Sequence, residues 1–169
     1  DRDARLLSLP LLVCPTWVSH TWVREAARFA PSLPLRVHHG PDRLLGEPFR
    51  VSLEGLGVLV TSYGLALRDG DLLRRVSWSM VVLDEAQTAK NPQTRLFRSL
   101  KGLRGGFRLA LTGTPVENHV KDLWALFELL NPGLLGSRES FQRDFFRPIQ
   151  VWGDRGAAEA LRRRTAPFL

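Results

Sequence analysis

The chain has 169 residues, 44% of them hydrophobic, enough for a globular fold with a real core and too many for a disordered chain. No apolar run approaches the ~20 residues of a membrane span and no export signal is visible at the start, so a soluble, unexported protein is expected. Basic residues outnumber acidic ones 24 to 17 and leave a formal net charge of +7, which fits a polyanionic partner without specifying one.

Residues 1–10 mix charge and leucine up to Pro10 and read as a linker or the tail of an upstream element. Leu11-Leu12-Val13-Cys14, closed by Pro15, is a short apolar run of the kind that forms a strand buried on both faces. Cys14, the single cysteine, sits inside it, so neither a disulfide nor a cysteine metal site is available. Trp22, Ala26, Phe29 and Ala30 then recur at helical spacing, with Arg24, Glu25 and Arg28 on the other side, and Pro31 ends the helix. Leu35-Arg36-Val37-His38 reads as a further strand, followed by a Gly/Pro-punctuated loop to Gly57. His38 and His39 converge poorly as metal ligands, because neighbouring residues of a strand face opposite sides.

Val58-Leu59-Val60-Thr61-Ser62 is another strand ending in hydroxyls, with a helix expected from Tyr63 to Arg75, broken or kinked at Gly70. The strand at 79–83 follows and runs directly into Asp84 and Glu85. Asn91-Pro92 is expected to open a helix with Asn as N-cap and with Leu96 and Leu100 facing the core. The strand Phe107-Arg108-Leu109-Ala110-Leu111 ends in Thr112-Gly113-Thr114-Pro115, and an amphipathic helix spans 120–130 with Leu123, Trp124, Phe127 and Leu130 inward. Beyond 134, Ser137 is positioned to cap a helix bearing Phe141, Phe145 and Phe146, and a helix at about 156–165 carries Arg162-Arg163-Arg164.

Strands alternating with helices predict an α/β fold with a mostly parallel sheet. Such sheets bind ligands outside the carboxyl ends of their strands, where Asp84 and Glu85 emerge. A carboxylate there suits Mg²⁺, and a second one beside it can orient or deprotonate an attacking water. Taken alone, the pair reads equally well as a solvated acidic turn after a core strand.

Four segments in order resemble the Swi/Snf-type DNA translocases among the superfamily 2 helicase-like ATPases. Leu12-Val13-Cys14-Pro15-Thr16 with Trp22 is similar to motif Ia, and Val60-Thr61-Ser62-Tyr63 to motif Ib. Val82-Leu83-Asp84-Glu85-Ala86-Gln87 with Lys90-Asn91-Pro92 resembles the Walker B motif II of a DEAQ-box protein. Leu111-Thr112-Gly113-Thr114-Pro115-Val116-Glu117-Asn118, continuing to Leu123-Trp124, resembles motif III. The resemblance implies a three-layer RecA-like lobe of P-loop NTPase type over 11–133, with a helical protrusion over 134–169. It implies ATP and Mg²⁺ as cofactors, Asp84 holding Mg²⁺ through water, Glu85 polarising the hydrolytic water, and Gln87 linking the nucleotide site to a coupling turn of Thr112, Gly113 and Thr114. Pro15, Thr16, Thr61, Ser62 and Lys90 would line a path for double-stranded DNA, touching phosphates without reading sequence. DNA-bound proteins and a second RecA-like lobe are the implied partners, and no membrane is implied. The arginine-rich, lysine-poor composition, with Gln87, hints at a bacterial, GC-rich source and a cytoplasmic, nucleoid-associated setting.

No G-x-x-x-x-G-K-[ST] loop occurs in the sequence, so the phosphate-cradling Walker A element is missing from these residues. The expectation is therefore an incomplete first lobe of a larger DNA-dependent ATPase, itself unable to hydrolyse ATP. Two alternatives stand beside it: a non-catalytic DNA-binding or scaffolding lobe, and a superfamily 2 helicase acting on RNA. An unrelated Mg²⁺-dependent hydrolase using Asp84 and Glu85 would leave the other three motifs unexplained.

Overall fold

A computed structural model describes residues 9–113 and 120–169. The first compact unit runs to Thr114 and the second from Pro115 to Leu169.

The first unit is built on five strands, β1 Pro10–Cys14, β2 Leu35–His38, β3 Val58–Ser62, β4 Ser77–Asp84 and β5 Arg104–Leu111. They lie in the order β2-β3-β1-β4-β5, and every pairing is parallel. Leu11, Leu12, Val13 and Cys14 are all buried, as a central strand covered on both faces requires. Period-two alternation assigns the faces. Leu12 and Cys14 of β1, Val60 of β3 and Val82 of β4 form one apolar layer with Val18. Trp22, from α1 (Ser19–Phe29), packs against that layer. Asp84 lies two residues beyond Val82 and so belongs to the α1 side.

On the other side, Arg108 pairs in register with Val81 and reaches the end of α5 (Arg95–Lys101). Its guanidinium donates to the carbonyls of Leu100, Lys101 and Leu103, at and just beyond the end of the helix. Burial pulls the pKa of this half-buried arginine downward, and three carbonyl acceptors offset the lost water.

The helix expected from Tyr63 to Arg75 is two short helices, α3 (Tyr63–Arg68) and α4 (Gly70–Arg74). The break falls at Asp69, whose φ of −101° and ψ of 21° leave the helical region, and Gly70 follows where a Cβ would run into Ser99 Oγ, whose hydroxyl ties α5 to Ala66 O of α3 at 2.7 Å. The loop expected up to Gly57 contains a short helix, α2 (Gly46–Val51). Its Gly-Glu-Pro start reads as a loop, yet proline is tolerated in the first turn, where its missing N–H has no helical acceptor. The helix expected to open at Asn91-Pro92 begins instead at Arg95, capped by Thr94, whose Oγ1 accepts the Phe97 N–H at 3.1 Å. Asn91 closes a local turn by accepting from Gln93 N–H, the competing use of an asparagine side chain. Phe97 replaces Leu96 as the core contact. Phe29, expected inward, is 71% exposed at the end of α1, with the Arg28 guanidinium 4.8 Å above its ring. Removing the cap with Thr94→Ala is expected to cost about 1 kcal/mol, read as a fall in the chemical-denaturation midpoint at unchanged slope.

The second unit is helical: α6 (Val120–Leu130), α7 (Arg138–Phe141), a π-turn (Gln142–Phe146), α8 (Arg147–Trp152) and α9 (Arg155–Thr165). Ser137 caps α7 as expected, accepting the Ser140 N–H at 3.1 Å. Val120 and Phe127 of α6 share one core with Leu135, Phe141 and Leu161. That core groups α6 with the C-terminal helices. Arg164, in the basic run of α9, stacks over Phe145 at 5.6 Å. Among the described residues no helix is long and apolar enough to cross a membrane.

Candidate functional site at the carboxyl end of β4

β4 sits between β1 and β5 and delivers Asp84 at its last position. Glu85 follows with φ 52° and ψ 50°, the single positive-φ residue other than glycine among those described. A left-handed conformation costs a side-chain-bearing residue on the order of 1–2 kcal/mol, and such residues concentrate at functional sites. Here the turn carries the chain straight from the strand into a 3₁₀ turn at Ala86–Ala89.

Three hydrogen bonds fix the start of this turn. Glu85 N–H donates to Asp84 Oδ1 at 2.9 Å, the Trp22 indole N–H donates to Asp84 Oδ2 at 2.7 Å, and the Tyr63 hydroxyl donates to the Asp84 carbonyl at 2.8 Å. A relay then leads away from Glu85. Gln87 Nε2–H donates to Glu85 Oε2, and Thr112 Oγ1–H donates to Gln87 Oε1 at 2.8 Å. The end of β5 and the carboxylate of Glu85 are thus joined through one amide. Asp84, Glu85, Gln87 and Thr112 are half-buried, and Gly113 is exposed. Thr114 lies outside the described residues.

The neighbouring groups register the acidic cluster. The Tyr63 hydroxyl is pushed well above its usual range by burial first and then by the Asp84 charge. The Cys14 thiol rises to about 11 for the same two reasons, so it stays a neutral, inert core group.

Each Asp84 oxygen accepts one hydrogen bond and keeps a lone pair, an oxygen-only donor suited to Mg²⁺ held through its water shell. Among the described residues no group of three or more His, Cys, Asp or Glu side chains could hold a metal by itself. Through the Asp84 carboxylate the residues present fit Mg²⁺-nucleotide.

The expected DNA-facing residues divide. Pro15 is half-buried, Thr16 is exposed at the start of a 3₁₀ turn (Thr16–Val18), and Lys90 is exposed just after the turn at Ala86–Ala89. Thr61 is 0% exposed and its hydroxyl donates to the His38 carbonyl at 3.3 Å. Ser62 is buried and its Oγ accepts the Leu65 N–H at 3.2 Å as the N-cap of α3. His38 Nε2 lies 2.8 Å from Asp69 Oδ2, and Arg43 makes a two-pronged contact with the same carboxylate at 2.6 and 2.8 Å.

Periodicity in the sequence did not reveal Trp22 and Tyr63 as partners of Asp84. The available signal was parity, which puts Asp84 on the α1 side of the sheet, together with the aromatic residues quoted in motifs Ia and Ib. Asp69 and Arg43 carried no signal, being separated by 26 residues.

A five-stranded parallel sheet flanked by helices, with paired carboxylates leaving a strand flanked on both sides and a relay to the next strand, is a RecA-like lobe. The family model described as the SNF2-related domain matches residues 6–169, and the chain belongs to that family. It is 39% identical over 159 residues to YwqA of Bacillus subtilis, provisionally named an ATP-dependent helicase/translocase, covering 94% of this chain and 17% of that protein. It is 36% identical over 170 residues to the TATA-binding protein-associated factor mot1 of Schizosaccharomyces pombe, covering 94% of this chain and 9% of that one. Among solved structures, the Sulfolobus solfataricus SWI2/SNF2 ATPase core in complex with dsDNA superposes with a TM-score of 0.86 at 42% identity, over 99% of this chain and 34% of that one. The chain thus spans under a fifth of these curated relatives and about a third of the solved core.

Proposed function

We propose that this chain is the motif II and motif III portion of an ATP-driven translocase on double-stranded DNA, one that displaces or remodels bound proteins. The relay Thr112–Gln87–Glu85 carries the reading, because it joins the carboxylate placed to act on water to the strand end leading toward the second unit. Asp84 would hold Mg²⁺ through water, Glu85 would orient and deprotonate the attacking water, and Gln87 would report the state of that carboxylate to Thr112. Bound Mg²⁺ supplies charge neutralisation on the phosphates. ATP is the nucleotide proposed, and turnover is expected only where a phosphate-cradling loop and a second lobe complete the site. Pro15, Thr16 and Lys90, on exposed turns, are the proposed phosphate contacts. A solved relative with duplex DNA and the basic charge of this chain support a DNA partner. DNA-bound proteins and a bacterial, cytoplasmic nucleoid setting belong to the same proposal.

The test is ATP hydrolysis by the protein at its natural length in the presence of duplex DNA, single-stranded DNA or RNA. Stimulation by duplex DNA above the other two is expected. Preference for RNA points to another superfamily 2 activity, and DNA binding without hydrolysis points to a scaffolding lobe.

A further inference from the structure

We propose that Trp22 is a positioning residue for Mg²⁺-nucleotide, its indole N–H holding the Asp84 carboxylate in the orientation that faces the ion. The inference rests on the reading of Asp84 as the Mg²⁺ carboxylate and goes further by assigning a task to a residue on another element.

Rotation of an aspartate carboxylate about its last bond is broad and two-fold, so nothing intrinsic to Asp84 fixes where its lone pairs point. The bond from Glu85 N–H to Oδ1 is local and moves with the strained turn that supplies it. The bond from Trp22 is different in kind. It comes from a helix 62 residues earlier, it is 2.7 Å long, and its donor is half-buried against the apolar layer of Leu12, Cys14, Val60 and Val82. The indole plane is therefore held by packing, and the N–H is aimed before any ligand arrives. A donor to an ionised acceptor makes one of the stronger hydrogen bonds, and an indole nitrogen has no acceptor role to confuse the geometry. With Oδ1 and Oδ2 each satisfied once, the remaining lone pairs point in a fixed direction. Metal-site partners of this sort generally contribute 10- to 100-fold in metal affinity or activity.

Two substitutions separate the hydrogen bond from the packing. Trp22→Phe keeps an aromatic ring and removes the N–H. Trp22→His keeps a ring N–H at about the same reach and loses volume. The measurement is the affinity of the natural-length protein for a non-hydrolysable ATP analogue, with Mg²⁺ and with EDTA. Trp22→Phe is expected to lower the Mg²⁺-dependent gain in affinity by about tenfold while leaving the EDTA affinity unchanged. Trp22→His should retain more of that gain than Trp22→Phe. If both affinities fall together, if the Mg²⁺-dependent gain is untouched, or if Trp22→Phe outperforms Trp22→His, Trp22 serves packing alone and the inference is overturned. A wild-type protein whose nucleotide binding is indifferent to Mg²⁺ overturns the underlying assignment of Asp84 instead.

Discussion

Replacing Glu85 with Gln is expected to lower the DNA-stimulated kcat for ATP hydrolysis by roughly 10²- to 10⁴-fold, the usual contribution of a positioned general base. The substitution is close to isosteric, and an amide oxygen still accepts from Gln87 Nε2–H, so the relay to Thr112 should persist. What disappears is the negative charge that draws a proton from water. ATP affinity should change little, because Asp84 and its two donors are untouched. A fall in kcat at constant KM is the signature of an interaction made chiefly in the transition state. Steady-state kinetics on the natural-length protein decides it. An unchanged kcat removes Glu85 from the chemistry.

Replacing Asp69 with Asn is expected to give the largest loss of stability. The Asp69 carboxylate takes both prongs of the Arg43 guanidinium and the ring nitrogen of His38, and the side chains of Arg43 and Asp69 are only 11% and 7% exposed. Arg43 also donates to the Gly40 carbonyl at 3.1 Å, so one carboxylate pins the loop after β2 to the start of α4. An amide in its place turns one acceptor into a donor facing the guanidinium, leaving a largely buried charge uncompensated. Breaking a buried pair by altering one partner is strongly destabilising, and a drop in Tm of roughly 5–10 °C is expected at pH 7. The pH dependence has a definite sign. The Arg43 bond, ahead of that from His38, holds the Asp69 carboxyl below its ordinary range. A depressed folded-state pKa means the contribution is complete above the unfolded value near pH 4 and is lost as the pH falls through the folded value. The Tm difference between wild type and Asp69→Asn should therefore be constant above about pH 5 and shrink on acidification below about pH 4. A difference that grows in acid refutes the assignment.

Both expectations depend on features read from the sequence to different degrees. The strands were legible because continuous apolar runs such as Val81-Val82-Leu83 have few uses other than a doubly covered strand. Their order was not, since nothing in a run of valines records which neighbour it pairs with; β1 lying between β3 and β4 is a tertiary fact. The carboxyl-end placement of Asp84, Glu85 and Gln87 followed from the strand direction, and the relay through Gln87 followed only once motif III was set beside motif II. For Thr61 and Ser62 the sequence left the detail open, because a hydroxyl at a strand end serves equally as a cap, an internal donor or a ligand contact. Asn91 illustrates the same competition, its side chain closing a turn rather than starting a helix. The Asp69 cluster depends on residues far apart in the chain and had no local pattern to betray it.

The most direct test of a translocase is displacement of a third strand from a DNA triplex by the natural-length protein. The expected result is release that requires ATP and duplex beyond the triplex, and that Glu85→Gln abolishes. Strong duplex-stimulated hydrolysis with no release of the third strand, or release that proceeds without ATP, contradicts it.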